Sequence, residues 1–327
     1  MFFDILFTIV QTLIFPGLLF CCLVGLILAG IDRKIVARMQ LRIGPPILQP
    51  CYDFFKLLGK ETIVPRAAAR RAFLAAPYIG LISLVITALF IPIFTFTAKS
   101  GVADLIVILY LLTIPTVAVI MGGASSGSQY AGVGVSREVV TVIAYELPLV
   151  MVLLAVGWKA GLWKASLEAA TGGITFSLAD IMTFQAASGM TISHWSMIPA
   201  ALAMLLVIPA EVGSHPFDVA EAETEICEGP LVEYSGAPLA VFKLNHAIKM
   251  YIMTALFAAL FLGGRGTGIL ALDVVLLFVI CALLTIICMS LIHAVTARLK
   301  VEILFRFYWK IVTGLAGLSL VLVWLGI

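Results

Sequence analysis

Hydrophobic positions in this chain form long unbroken stretches instead of alternating with polar positions. Eight stretches approach the roughly 20 residues that a membrane-spanning helix requires. They lie at about 5–30, 73–97, 102–122, 139–158, 196–213, 238–263, 269–293 and 304–326. The pattern predicts an all-α, polytopic membrane protein with eight spans, in which residues 1–327 form a single integral membrane domain.

Composition supports this prediction. Hydrophobic residues make up 62% of the chain and charged residues 12%, and the mean hydropathy is +1.16. Soluble domains carry about 25% charged residues. The first stretch has Asp4 where a signal peptide has a basic leader, and no small-residue cleavage site is evident. We therefore expect it to stay in the protein as a helix.

The distribution of basic residues predicts the orientation. With the N-terminus outside, 16 of the 20 Lys and Arg residues fall on the inner side, as expected because basic loops are retained in the cytoplasm. This predicts a multi-pass protein of the cytoplasmic membrane with both termini outside. The inner loops 32–72, 123–137 and 211–237 would then form a docking surface.

Two of these loops have distinctive compositions. In 32–72, Phe54-Phe55 and Leu57-Leu58 interleave with charged residues, a pattern typical of an amphipathic helix lying in the membrane interface. Such a helix either braces the spans or takes part in docking or gating. The loop 123–137 is rich in Gly and Ser, which suits tight turns and a mobile linker equally well.

The third inner loop holds seven carboxylates and no Lys or Arg: Glu211, Asp218, Glu221, Glu223, Glu225, Glu228 and Glu233. Asp218 and Glu221 have the spacing of a capping box, which predicts that a helix starts there. In that helix Glu221, Glu225 and Glu228 would share one face. At an effective dielectric near 20, two carboxylates about 6 Å apart repel by roughly 3 kcal/mol.

Three interpretations of this acidic run remain open. The acids could form an ion-pair lattice with the basic loop 32–72, or a coupled set of titrating groups that pass protons. They could also be a solvated face, the usual meaning of a charge run. The flanking spans and the interleaved Pro216, Phe217 and Tyr234 weaken this last interpretation.

A further acid, Glu146, interrupts the fourth stretch. Pro148 cannot donate a hydrogen bond, so the carbonyl of Ala144 is left free nearby. A broken helix that carries a carboxylate at this depth predicts a proton or water site. The alternative is a kink in which Glu146 pairs with a basic residue of a neighbouring span.

Redox and hydrolytic motifs are missing from the sequence. The six cysteines include no CxxC pair, which argues against iron–sulfur ligation. The four histidines have no repeated ligand spacing, so we expect each to have its own hydrogen-bond partners and not to bind a shared metal. No glycine-rich phosphate loop and no Ser/His/Asp arrangement is recognisable. We expect no metal, no cofactor and no nucleic-acid partner for this chain, and the lipid bilayer as its surroundings.

Several short motifs follow one another along the chain: Arg42-Ile43-Gly44-Pro45, Ser136-Arg137-Glu138, Tyr145-Glu146-Leu147-Pro148, Pro216-Phe217-Asp218 and Glu233-Tyr234-Ser235-Gly236. Taken in this order, they resemble a known family over about residues 30–300. That family includes the eight-helix membrane subunit of respiratory complex I (subunit 1) and the membrane-anchor subunits of energy-converting group 4 NiFe hydrogenases, among them formate hydrogenlyase.

Two segments help to distinguish the hydrogenase branch of this family from the quinone-reducing branch. Glu228-Gly229-Pro230-Leu231 is similar to the hydrogenase branch, since quinone-reducing members typically have Gly-Phe-His-Thr there. Asp32-Arg33-Lys34 stands where the quinone enzymes have Glu-Arg-Lys, so the charge is kept on a shorter arm.

The resemblance implies a subunit that docks a hydrophilic redox arm close to its last iron–sulfur cluster and links redox change to ion movement through buried acids. Its implied partners are hydrogenase large and small (iron–sulfur) subunits, which would hold the iron–sulfur clusters and the NiFe centre, and antiporter-like membrane subunits. The alternatives are a quinone-site subunit of a complex I type oxidoreductase and a free-standing ion carrier.

We assign the candidate residues to two roles. The proton-coupling candidates are Glu138, Glu146, Glu211, Asp218, Glu221, Glu223, Glu225, Glu228 and Glu233. The counter-charge and docking candidates are Asp32, Arg33, Lys34, Arg42 and Arg137.

Overall fold

The computed structural model describes residues 11–94, 104–168, 173–263 and 266–326, which form helices joined mostly by short connections. Eight helices there are long and apolar enough to cross a membrane, which confirms the predicted number of spans. Within these ranges no strand occurs, and an isolated β-bridge pairs Asp104 with Ser177. The start of the stretch predicted at 5–30, the end of that at 73–97 and the start of that at 102–122 lie outside the described residues.

The helices of the described ranges are numbered α1 to α11 in chain order. Their bounds are α1 Leu18–Met39, α2 Gln49–Leu58, α3 Arg70–Phe90, α4 Leu105–Ser126, α5 Gln129–Glu168, α6 Leu178–Ser188, α7 Ile198–Val212, α8 Glu223–Ile226, α9 Gly236–Leu262, α10 Leu270–Val295 and α11 Val301–Trp324. The last three each contain a five-residue π-helical segment, at Ala258–Leu262, Ile286–Ser290 and Tyr308–Val312.

Helix α9 is the centre of the bundle. It is almost wholly buried, whereas the other spans keep broad exposed apolar faces of the kind that a bilayer covers. It packs against α1, α3 and α7 and also against the short helix α2. Its side chains Ile248, Ile252 and Leu256 are fully buried in the main hydrophobic core. A polar residue on α9 is therefore held inside the bundle, away from lipid.

The connection between α4 and α5 is shorter than predicted. Only Gly127 and Ser128 separate the two helices, so the predicted loop 123–137 is wrong. Gly127 ends α4 in the left-handed conformation (φ 73°), which glycine adopts without steric penalty. The prediction of a broken fourth span is also wrong, because α5 runs through Pro148 without interruption.

Two of the glycines at this connection permit close packing. A Cβ atom on Gly134 would lie 2.5 Å from Cδ of Pro230, and one on Gly123 would lie 3.0 Å from Cβ of Pro230. These distances are shorter than non-bonded carbon atoms tolerate. The glycine-rich composition thus lets the turn at Gly229–Leu231 seat against α4 and α5.

Helix α2 is the amphipathic helix predicted within 32–72. Phe54 packs on the main core, whereas Tyr52 and Phe55 on the same helix are exposed. Gly30 of α1 lies against the backbone at Ile47, just before α2 begins. The helix is therefore fixed against the bundle near the second half of α1.

The acidic segment, residues 211–235, departs from its prediction. The helix expected to start at Asp218 is missing, and α8 is a single turn at Glu223–Ile226. Cys227 and Glu228 both have positive φ angles, 52° and 68°, which turn the chain out of a helix. The predicted stripe of Glu221, Glu225 and Glu228 on one helical face is consequently wrong.

Candidate functional site

A cavity of about 700 Å³, the central cavity, lies between the acidic segment and the surrounding helices. Its wall is formed by α1, α2, α4, α5, α7, α9 and α10 together with the acidic segment. Its size is within the range of small-molecule pockets. The ionisable side chains that line it are Asp32, Arg33, Asp53, Lys56, Lys60, Glu138, Glu211, His215, Asp218, Glu221, Glu228, Lys243, His246, Lys249, His293 and Arg298.

The deepest charges are a buried ion pair. The Nζ atom of Lys249 on α9 lies 2.9 Å from Oε1 of Glu211 at the end of α7. Only 9% of the Lys249 side chain and 3% of the Glu211 side chain are exposed. Lys249 also donates a hydrogen bond of 2.8 Å to Oγ1 of Thr116 on α4. The pair thus joins three helices through charge-assisted hydrogen bonds.

Asn245 lies one helical turn before Lys249 on α9 and lines the same cavity. Its Nδ2 atom donates a hydrogen bond of 2.9 Å to the carbonyl of Pro77 on α3. Gly80 makes room for this contact, because a Cβ atom there would lie 2.8 Å from Nδ2 of Asn245. The Oδ1 atom of Asn245 is buried and accepts no hydrogen bond from the described residues. The amide thus ties α9 to α3 and keeps one acceptor unused in the described part of the chain.

The far end of the acidic segment is anchored by Tyr234. Its hydroxyl donates a hydrogen bond of 2.9 Å to the carbonyl of Phe73 on α3. That carbonyl is available because Pro77, four residues later, has no N–H to donate within the helix. The two rings also stack, with centroids 3.9 Å apart. The motif Glu233-Tyr234-Ser235-Gly236 therefore fixes the segment to α3 just before α9 begins.

The middle of the acidic segment is held over the cavity by Arg298, which follows α10. Its guanidinium lies 2.8 Å from Oδ2 of Asp218 and also donates to Oγ1 of Thr224. The carboxylate that was expected to cap a helix is thus used in a tertiary ion pair. The predicted capping box is wrong for this reason, since one carboxylate oxygen is taken by Arg298 and His215 lies 3.4 Å from the other.

Glu221 lies partly buried on the cavity wall. Burial, together with the carboxylates of Glu138, Asp218 and Glu228, raises the pKa of Glu221 from its ordinary value of 4.5 to about 8. Lys243 opposes this rise. Glu221 therefore holds its proton at neutral pH, as a carboxyl group does when neighbouring charges and burial oppose its ionisation.

The remaining acids of the segment are dispersed. Glu225 is exposed and pairs with Arg137 of α5, and Glu228 lines the cavity. Glu233 is half-buried and is not part of the cavity wall, and the side chain of Glu223 is not among those described. The ion pairs described for this segment are made with Arg137, Arg298, His215 and Lys249. The described contacts therefore do not show an ion-pair lattice between the acidic segment and the basic loop 32–72.

The counter-charge candidates on and near α1 do not all line the central cavity. Asp32 accepts a hydrogen bond of 2.7 Å from Oγ of Ser290 on α10, and Arg33 lies 3.3 Å from Asp53 of α2. Both line the central cavity, whereas Lys34 and Arg42 do not. Arg42 instead borders a smaller pocket of about 210 Å³, the side pocket.

Glu146 lies apart from this group. It is half-buried on α5 between the exposed side chains of Ile143 and Leu147, and it is not part of the cavity wall. No ion pair joins it to another residue of the described ranges, so the alternative of a kink with a paired Glu146 is not supported by them.

This chain matches the NADH dehydrogenase family over residues 12–324, which is nearly its whole length. It belongs to that family. The relatives within the family and a similar solved structure further indicate a multi-pass membrane subunit of an oxidoreductase-type complex.

Two curated relatives within the NADH dehydrogenase family carry different names. An NADH-quinone oxidoreductase subunit of Anaplasma marginale is 32% identical over 314 residues, which cover 87% of this chain and 84% of that protein. Hydrogenase-4 component C of Escherichia coli is 36% identical over 234 residues, which cover 71% of this chain and 69% of that protein.

A solved structure shares the fold. A chain of the membrane-bound sulfane sulfur reductase, an archaeal respiratory membrane complex, superposes with a TM-score of 0.84 at 30% identity. The superposition covers 93% of this chain and 96% of that chain. The resemblance to complex I and hydrogenase subunits is thus confirmed at the level of the family.

Several cavity residues of this family member were missed in the sequence. They are His215, Lys243, Asn245, His246, Lys249, His293 and Arg298. A charge inside an apolar span is itself a functional signal, so Lys249 could have been found from its position in the stretch 238–263. The pairing of Arg298 with Asp218 could not, because 80 residues separate the two in the chain.

The described residues contain no group of three or more His, Cys, Asp or Glu side chains arranged to hold a metal ion. What this site can do is hold and exchange protons. Its carboxyl, imidazole and amine groups share one cavity, and groups of these kinds can take up and release protons.

Proposed function

We propose that this chain is the membrane-anchor subunit of an energy-converting NiFe hydrogenase complex. In this proposal it docks the iron–sulfur and hydrogenase arm and couples electron transfer to the translocation of protons or sodium ions. The observation that carries the proposal is the central cavity, in which ionisable side chains lead from the acidic segment down to the buried Lys249–Glu211 pair.

Docking is supported by exposed apolar residues close to the charged segments. Leu41 is 96% exposed, Ile43 is 100% exposed and Ile63 is 65% exposed. These residues lie in the connections on either side of α2, among the basic side chains of that loop. Exposed apolar groups with a polar rim are typical of a protein-binding surface. The hydrogenase large and small subunits would bind here and would hold the iron–sulfur clusters and the NiFe centre.

Coupling is supported by the proximity of the acids. A change of charge in the docked arm alters the electrostatic potential at Asp218 and Glu221, and protons then redistribute among the cavity groups. Lys249 and Glu211 respond to this redistribution of protons at the deep end of the central cavity. The low polarity there makes each interaction between charges stronger than in water. Glu146 would pass the proton to an antiporter-like membrane subunit, because a carboxylate facing lipid is costly unless another protein covers it.

The hydrogenase branch is supported by the similarity to hydrogenase-4 component C and by the segment Glu228-Gly229-Pro230-Leu231. A second candidate is a quinone-site subunit of a complex I type oxidoreductase. It is favoured by the relatives named as NADH-quinone oxidoreductase subunits and by the volume of the cavity. In both cases the catalytic centre lies in partner subunits, and the chain resides in the cytoplasmic membrane with both termini outside.

Purification of the complex from native membranes tests the branch. The proposal expects nickel and iron–sulfur subunits to co-purify with this chain and hydrogen evolution to be retained. A complex without nickel that reduces quinone would establish the second candidate instead. A lone stable chain that transports ions would indicate the free-standing carrier.

Acidification of inverted membrane vesicles during hydrogen evolution tests the coupling. Glu211→Gln and Glu146→Gln should abolish or strongly reduce acidification while leaving hydrogen evolution by the arm. Glu302→Gln serves as the matched control, because Glu302 is exposed on α11 outside the cavity. Full acidification in both Glu211→Gln and Glu146→Gln would refute the proposed route.

A further inference from the structure

The central cavity and the side pocket share a wall made of two residues. The side pocket lies beneath the turn Arg42–Pro45 and is lined by Arg33, Val36, Ala37, Arg42, Ile43, Gly44, Pro45 and His293. Of these, Arg33 and His293 also line the central cavity. Unlike the guanidinium of Arg33, the imidazole of His293 can accept a proton on one ring nitrogen and donate one from the other.

On the cavity side His293 meets a second imidazole. The ring centroids of His293 and His215 are 4.7 Å apart, with the rings tilted by 37°. At this separation no third side chain fits between the rings. A proton can cross after rotation of either ring or through one bridging water molecule.

His215 in turn faces an acceptor. Its Nδ1 atom lies 3.4 Å from Oδ1 of Asp218. That oxygen is buried and accepts no hydrogen bond from the described residues, although the other oxygen of the same carboxylate is paired with Arg298. A buried acceptor without a donor is costly, and it is the kind of atom that takes a proton or a hydrogen bond when one is offered.

The charged groups around the two imidazoles come from several elements. Asp32 and Arg33 face them from α1, Arg42 borders the side pocket, and Asp218 and Arg298 lie on the cavity side. Asp32 is also joined to α10 through its hydrogen bond with Ser290, three residues before His293. The relative placement of α1 and α10 is therefore tied to the imidazole pair.

We propose that His293 and His215 form a proton relay from the side pocket to the acids of the central cavity, a step that rests on the proposed ion-translocating function. His293 accepts a proton from a hydronium ion in the side pocket on one ring nitrogen, which leaves a neutral water molecule, and releases the proton of the other nitrogen toward His215. His215 passes a proton to Oδ1 of Asp218 in the same way. Each imidazole ends neutral, one proton has moved, and no oxidation or reduction occurs.

Chemical rescue tests this relay in the intact complex in inverted vesicles. His293→Ala removes the relay imidazole and enlarges the side pocket. We expect the rate of proton translocation per assembled complex to fall by about 100-fold, within the range that a positioned acid–base group contributes. Added imidazole should restore a substantial part of that rate, because it can occupy the vacated space and carry the proton. A residue that only packs would not be replaced by a free base.

Three further variants keep the test decisive. His215→Ala should show the same loss and rescue, and His293→Gln, which keeps polarity and approximate size, should assemble normally yet lose translocation. His194→Ala is the matched control: His194 lies outside both cavities, so translocation should be unchanged and imidazole without effect. Wild-type translocation by His293→Gln would overturn the relay, as would failure of imidazole to rescue either alanine variant.

The two proposals fail in different ways. If the unaltered complex evolves hydrogen without acidifying the vesicles, the proposed function is wrong. If the unaltered complex acidifies them and the histidine variants do so equally, only the relay is wrong.

Discussion

The buried pair Lys249–Glu211 and the surface pair Arg137–Glu225 have the same kind of charges in very different surroundings. The side chains of the buried pair are 9% and 3% exposed, whereas those of the surface pair are 25% and 50% exposed. Removing one partner from a buried pair leaves a charge without compensation, whereas water screens the charge left at the surface. The conspicuous acid of the sequence, Glu225, should therefore matter less to stability than the inconspicuous Lys249.

The largest effect should follow from Lys249→Met. This change leaves Glu211 buried without its cation, and we expect a loss of about 3–5 kcal/mol in the free energy of unfolding. Thermal unfolding of the detergent-purified complex measures it. Lys249→Met combined with Glu211→Gln should recover much of the loss, because neither charge then remains. If Lys249→Met alone is as stable as the unaltered protein, the buried pair does not contribute more to stability than the surface pair.

A smaller effect should follow from Gly134→Ala, which tests how firmly the acidic segment is seated. The added Cβ atom would meet Pro230 at 2.5 Å, and overpacking of this kind costs about 1–3 kcal/mol. Gly132→Ala is the matched control on the same helix. Its Cβ atom would meet nothing within 4 Å, so alanine should stabilise the helix by up to about 1 kcal/mol. Equal results for the two variants would contradict the packing described above.

The stability of the protein should depend on pH through the carboxyl group of Glu221. Because the pKa of this group is raised in the folded state, from 4.5 to about 8, the folded protein binds more protons than the unfolded protein between these values. The contribution of Glu221 to the free energy of unfolding is fully present below about pH 4.5 and is lost as the pH rises through about 8. Glu221→Gln should flatten this part of the pH profile of thermal unfolding. Infrared spectroscopy should show a protonated carboxyl band at neutral pH that the variant lacks.

The smallest effect should come from Arg137→Ala. An exposed ion pair contributes about 0–1 kcal/mol, and salt screens what it does contribute. Thermal unfolding at low and high salt concentration should therefore differ little between the variant and the unaltered protein. A loss as large as that of Lys249→Met would show that Glu225 belongs with the buried charges.

The spans could be predicted from the sequence because length and hydropathy decide them locally. The acidic segment could not, since its conformation depends on contacts with distant residues. Asp218 and Glu221 have the spacing of a capping box, yet Arg298 holds the Asp218 carboxylate and the chain turns at Glu228. The glycines at 123 and 134 indicated a loop by composition, although they are helical and serve close packing.

The candidate site was predicted in part for the same reason. Seven of its carboxylates and bases were identified as charges in an apolar chain, namely Asp32, Arg33, Glu138, Glu211, Asp218, Glu221 and Glu228. Their partners lie on other helices, and no local pattern indicates which helix faces which. The histidines illustrate the limit: each looked isolated in the sequence, whereas His215 and His293 are brought together by folding.

The π-helical turn at Ile286–Ser290 determines the direction in which the end of α10 points. Such a turn contains one residue more than the α-helical turn it replaces, and each residue of an α-helix advances the chain by about 100° around its axis. Conversion of this turn to α-helix would rotate everything after it by about that angle. Ser290 would leave Asp32, and His293 would leave His215, while the acidic segment stayed in place. A single extra residue in a helical turn thus sets the alignment of two distant parts of the chain.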